Sequence, residues 1–301
     1  MKKILYSLLL FFCVGNSIAQ QTPADKQSTA ISIEGATAHL GNGQVIKNSL
    51  IMFTDGKITF VGSAIAKIAR QGTIIKAEGK HVYPGFIAAN ASLGLVEIDA
   101  VKASADLDEI GLNNPHIRSL IAYNAESKIV ESMRPNGVLM AQITPRGGRI
   151  SGTSSIVQLD AWNWQDAAVK TDDAIHMNWP GSFTRGNWWL GEDPGLKVDV
   201  KYADNIDKIK SYFLDAKNYL AGNKEKKHLP YEGTKGLFNG SQKLFIHVSG
   251  QREITDAITT AKEVGIDNLV IVRGDGADKV TDLLVKHKIP VILNRPHRNS
   301  N

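Results

Sequence analysis

The chain has one cysteine in 301 residues, Cys13, which lies in an apolar run close to the start. If that run leaves as an export leader, no thiol remains to form a disulfide, and the mature protein depends on its core for stability. The run itself, Ile4 to Val14, falls short of the roughly 20 apolar residues that a membrane-spanning helix needs. Charge of one sign is also scarce. The 35 basic and 30 acidic residues give +5, and loss of Lys2 and Lys3 with the leader takes this to +3. No basic run is interleaved with aromatics, which argues against a nucleic-acid partner. The eight histidines are His39, His81, His116, His176, His228, His247, His287 and His297, and no two are spaced as His-x-His or His-x-x-x-His.

What is present begins with targeting. Lys2-Lys3, the apolar run and the small residues before Gln20 read as a signal peptide over 1–19, cleaved after Ala19. Polar residues 20–29 read as a flexible leader. About 280 residues remain, enough for one large core, or for a large domain with a smaller one attached. The run Asn223 to Lys227 is charged and reads as a solvated helix end or loop.

Residues 30–82 predict a small β domain. Ile31 and Ile33 alternate with Ser32 and Glu34, and Leu50 to Thr54 and Lys57 to Gly62 flank Asp55-Gly56. An Asp-Gly pair between two apolar runs predicts a hairpin, because both central turn residues need positive φ. From 83 to 301 apolar runs alternate with helical periods. Strands are predicted at Val82 to Ala88, Val138 to Ile143, Ser155 to Leu159, Ala174 to Met177, Lys243 to Val248, Asn268 to Val272 and Ile289 to Leu293. Helices are predicted from Asn114-Pro115 onward, around Asn205 to Leu220, at Glu253 to Val264 and at Asp278 to His287. Such alternation points to a parallel sheet covered on both faces, with seven strands where a closed (β/α) barrel has eight.

Two stretches, Asp55-Gly56-Lys57-Ile58-Thr59-Phe60-Val61-Gly62 and Pro84-Gly85-Phe86-Ile87, resemble the amidohydrolase superfamily near its imidazolonepropionase-like members. Ile246-His247-Val248-Ser249-Gly250 resembles the fifth barrel strand of that superfamily. The resemblance covers about residues 30 to 298. It implies an α/β fold with a TIM-like (β/α)8-type barrel, here incomplete at its C-terminus and preceded by a β-sandwich-like domain. It also implies metal-dependent hydrolysis of C–N bonds, with zinc or another divalent ion at the carboxyl ends of the strands. Position by position, the first-strand histidine pair of the family is replaced by Asn90 and Ser92, and the aspartate after Ile87 by Ala88. The sixth-strand histidine is replaced by Arg273, which has no lone pair to offer a metal. His247 stands at the fifth-strand position, and His176 lies on the fourth strand, where the family often places a bridging ligand.

Outside that ligand set, the Thr144 to Ser155 segment is rich in Gly, Arg and hydroxyls. It reads either as a ligand loop in which Arg146, Arg149 and Ser151 meet an anion, or as a tight structural loop. No Gly-Lys-Ser/Thr closes it, so it is not a nucleotide phosphate loop. Trp162, Trp164, Trp179, Trp188 and Trp189 either line a cleft or pack an insertion. His297, after the last strand, is a further ligand candidate. Asp99, Asp106, Asp108 and Glu109 lack EF-hand spacing and read as a solvated loop. Three functions follow: an exported hydrolase of amide, cyclic amide or peptide-like substrates; a non-catalytic relative that binds a small molecule; or one part of an assembly whose partner chain completes the barrel.

Overall fold

The computed structural model describes residues 22–222 and 226–293. The expected signal peptide with Cys13, residues 20–21 of the leader, 223–225 of the charged run, and His297 lie outside the described residues. The described residues form two compact units, 22–86 with 160–162, and 87–159 with 163–293.

The first unit carries β1 (Ile31–His39), β2 (Val45–Thr54), β3 (Lys57–Ser63), β4 (Thr73–Lys76) and β5 (His81–Val82). The order is β3-β2-β1-β4, with β5 also on β1. β2 runs antiparallel to β1 and β3, whereas β4 and β5 run parallel to β1. The Asp55-Gly56 turn forms as the pair dictates, with φ of 52° and 69°. Arg70 ties the unit together: its Nε donates to Glu34 at 2.9 Å and its Nη2 to the Ala64 carbonyl at 2.6 Å.

The second unit contains β6 (Phe86–Ala91), α1 (Lys128–Met133), β7 (Val138–Ile143), β8 (Ile150–Gln158), α2 (Trp164–Ala167) and β9 (Ala168–Asn178). There follow β10 (Phe183–Arg185), β11 (Leu196–Val198), α3 (Tyr202–Ala221), α4 (Leu229–Glu232), α5 (Lys235–Phe238), β12 (Lys243–Val248), α6 (Gln251–Glu263), β13 (Leu269–Arg273), α7 (Thr281–Lys286) and β14 (Val291–Leu293). One seven-stranded sheet runs β14-β13-β12-β9-β8-β7-β6.

Strand count and helix order follow the apolar pattern, but the sheet is mixed. β9, β12, β13 and β14 are parallel, while β8 is antiparallel to both β7 and β9. β8 starts at Ile150, not Ser155, because Gly147 and Gly148 turn the chain at positive φ within the six residues 144–149. Half of the expected 144–155 loop is therefore strand. At Gly152 (φ 139°) β8 bulges, and a Cβ there would lie 2.7 Å from the Ile117 carbonyl oxygen.

That close approach also explains why no α-helix starts at Asn114. The segment lies along β8 instead, with Asn114 N–H donating to the Ile150 carbonyl at 2.8 Å and Thr153 N–H to that of Ile117 at 2.7 Å. These tertiary bonds outweigh the local helix preference. Only a 3₁₀ turn at Ser119–Ala122 and then α1 form.

Strand alternation separates two faces. Ile175, Met177, Ile246 and Ile271 pack with Ile209 and Phe213 of α3 and Ile254 and Ile258 of α6. Ala174, Phe245, Val270 and Val272 form a second cluster on the opposite face. His176 and His247 have the parity of that second cluster, so the period of two takes them away from the helices.

Candidate functional site

The carboxyl ends of β6, β7, β9, β12 and β13, with the start of β8, bring together Asn90, Asn178, His247 and Arg273. The 144–149 turn adds Arg146 and Arg149. His176 Nδ1 lies 3.0 Å from His247 Nε2, and His176 Nε2 lies 2.9 Å from Ser154 Oγ. The Ser154 hydroxyl donates to the Ala174 carbonyl at 3.3 Å, so its oxygen accepts from His176 Nε2–H. A neutral His176 then has its lone pair on Nδ1 and accepts from His247 Nε2–H. Burial lowers the pKa of His176 far below its usual value, with His247 and Arg146 adding to the shift. Burial also lowers His247, to about 3, helped by the positive charges of Arg146 and Arg273. Both rings are neutral at physiological pH.

Arg146 fixes the first-strand position. Its Nη1 donates to Asn90 Oδ1 and its Nη2 to the Asn90 carbonyl, both at 2.8 Å. Asn90 has φ of 51° and Arg273 has φ of 79°, the left-handed region that non-glycine residues seldom occupy. Arg146 is partly desolvated and feels the like charge of Arg273, and both effects lower its pKa. Among the described residues neither Arg146 nor Arg273 is ion-paired with a carboxylate.

The other residues of the expected ligand loop serve its structure. Arg149 Nη1 donates to the Asn178 carbonyl at 2.8 Å. Ser151 Oγ donates to the Gly147 carbonyl at 2.7 Å and accepts from Asn178 Nδ2 at 3.1 Å. Asn178, not singled out in the sequence, also donates to the Gly148 carbonyl at 3.0 Å and so holds the turn closed. Its only mark in the sequence is a polar residue at the end of an apolar strand. Ser92 is exposed beyond β6 and joins none of these bonds.

The tryptophans of the second unit do not form one cleft. Trp164 belongs to the β8–β9 connection, at the opposite end of the sheet from Asn178, because β8 is antiparallel. Trp162 groups with the first unit. Trp179 is buried, with its Nε1 donating to Tyr202 Oη at 3.2 Å. Trp188 and Trp189 are exposed, edge to face on the β10–β11 connection. A cavity of about 470 Å³ is lined by Asp106, Asp108, Glu109, His116 and Ile117 and reaches Pro145 and Ser151, but neither His176 nor His247 lines it.

An amidohydrolase from Thermotoga maritima MSB8 has a similar fold, with a TM-score of 0.73 at 23% identity over 88% of this chain and 70% of that one. The fold is shared with an amidohydrolase. A prolidase complexed with N-methylphosphonate-L-proline is 12% identical with a TM-score of 0.45, over 88% of this chain and 66% of that one. A Xaa-Pro dipeptidase with bound methionine is 13% identical with a TM-score of 0.40, over 87% and 66%. No protein-family model and no curated protein sequence matches the chain.

The amidohydrolase fold raises the question of a metal, and the donors here do not fit one. Two neutral imidazoles carry one lone pair each, and that of His176 is taken by His247 N–H. One nitrogen lone pair, an amide and two guanidinium cations make a poor cage for a divalent ion. Among the described residues no group of three or more His, Cys, Asp or Glu side chains is placed to hold a metal.

Proposed function

We propose that this chain is an exported amidohydrolase-fold protein that binds a small amide- or peptide-like molecule at the carboxyl ends of its sheet, without a metal ion. Arg146, Arg273, His247 and Asn90 form the floor of that site, and Arg149, Asn178 and Ser151 hold the adjacent turn. The observation that carries the reading is the His176–His247 hydrogen bond of 3.0 Å with two arginines beside it. The bond takes up the lone pair of His176 and leaves only that of His247, where a hydrolase would need several donors on a cation. The fold reading that goes with it is a (β/α)8-type barrel after a β-sandwich-like domain.

A second reading, hydrolysis of C–N bonds, is favoured by the fold shared with the Thermotoga amidohydrolase. The two separate on one experiment. The purified full chain is incubated with a panel of dipeptides and N-acyl amino acids, with and without chelator, and both binding and amine release are followed. Binding unaffected by chelator and no release of amine is the expected result. Chelator-sensitive release would replace the first reading with the second.

A further inference from the structure

The pair Arg146 and Arg273 places two positive charges at one end of the sheet with no acidic partner. Arg146 uses two of its five N–H donors on Asn90. The side chain of Arg273 makes no hydrogen bond or ion pair among the described residues. It stands on β13 beside Val248, the strand neighbour of His247. Arg146 is partly buried without a counter-ion, which is unfavourable, and the positive charge of the exposed Arg273 nearby adds repulsion. A bound anion relieves both. The sheet end that binds a cation in a metal hydrolase here has the opposite electrostatic demand.

From this we infer that the site recognises the carboxylate of its ligand, with Arg273 as the principal donor and Arg146 as the second. The inference rests on the metal-free binding reading above and specifies its ligand class: an N-acyl amino acid or peptide with a free carboxyl end. A planar carboxylate suits the parallel N–H donors of a guanidinium. Its single negative charge is met by two cations while His247 stays neutral.

The test uses the full chain and two probes of nearly equal shape, N-acetylglycine and N-acetylglycinamide, with inorganic phosphate as a third. Affinity is measured by titration calorimetry. Arg273→Asn is the main variant, since Asn accepts the left-handed φ at this position and the side chain is exposed. Arg146→Lys is the second and keeps the charge. The acid is expected to bind and the amide not to. Arg273→Asn should weaken the acid about tenfold or more, as expected when a charge-assisted hydrogen bond is lost, and Arg146→Lys should weaken it less.

Equal binding of acid and amide would overturn carboxylate recognition while leaving the binding reading intact. Tighter binding of phosphate than of either would overturn it in favour of a phosphorylated ligand. No binding of any probe would overturn it as well, and the binding reading would then rest on its own dipeptide panel.

Discussion

At the residue scale, His247 sits where the pattern of the sequence anticipates it, on a fully buried strand, but its chemistry is set by three residues far away in the chain. His176 accepts its N–H, and burial, helped by the charges of Arg146 and Arg273, makes its protonation unfavourable. The imidazole titrates near its ordinary 6.5 in the unfolded chain and near 3 in the fold. The unfolded state therefore binds the extra proton in that window. Stability is fully present above pH 6.5 and is lost as pH falls, levelling off only near 3. The slope from this residue is about 1.4 kcal/mol per pH unit, so between pH 6.5 and 5 about 2 kcal/mol should go. Urea unfolding of wild type and His247→Gln at pH 7 and 5 checks this. The variant should lose less stability between the two pH values, and equal losses would contradict the assigned neutrality of His247.

At the element scale, much was legible because the signal is local. β12 begins and ends where its apolar run does, and α3 and α6 follow their 3.6-residue stripes. The Asp55-Gly56 hairpin needs only two residues to be read. The missed helix after Asn114 shows the other case. Its cap and proline are genuine local signals, but Gly152 lets that backbone lie against β8, and hydrogen bonds between residues 36 apart in sequence cannot be read from spacing. The tryptophans, which the sequence leaves open between a cleft and a packed insertion, are likewise placed by contacts that spacing does not report. Burial separates their neighbourhoods in a measurable way. Phe213, on the apolar stripe of α3, is 2% exposed, whereas Trp188 is 71% exposed. Phe213→Ala should lower unfolding free energy by about 3–5 kcal/mol, and Trp188→Ala should stay within about 0.5 kcal/mol. Chemical denaturation of both variants checks the pair, and a large loss from Trp188→Ala would mean that the β10–β11 connection packs against something.

At the scale of the whole molecule, the seven strands of the second unit were countable but their directions were not. Periodicity reports which residues are buried and is silent on whether a strand runs up or down. The antiparallel β8 therefore turned an expected parallel sheet into a mixed one, and moved the β8–β9 connection with Trp164 to the far end. The same holds for the site. Asn90 and Arg273 could be singled out one at a time. That Arg146 would bond the first, and that the second would share its field with His247, depended on the sheet bringing residues 90, 146, 247 and 273 to one end.

The central claim is that this end of an amidohydrolase fold does not use a divalent metal. The measurement that tests it most directly is zinc content by mass spectrometry after equilibration of the purified chain with zinc and desalting, run beside His247→Ala. The account expects far less than one zinc per chain in both proteins, with no difference between them. About one zinc per chain in the wild type, lost in His247→Ala, would contradict it and would return the histidines to a metal site.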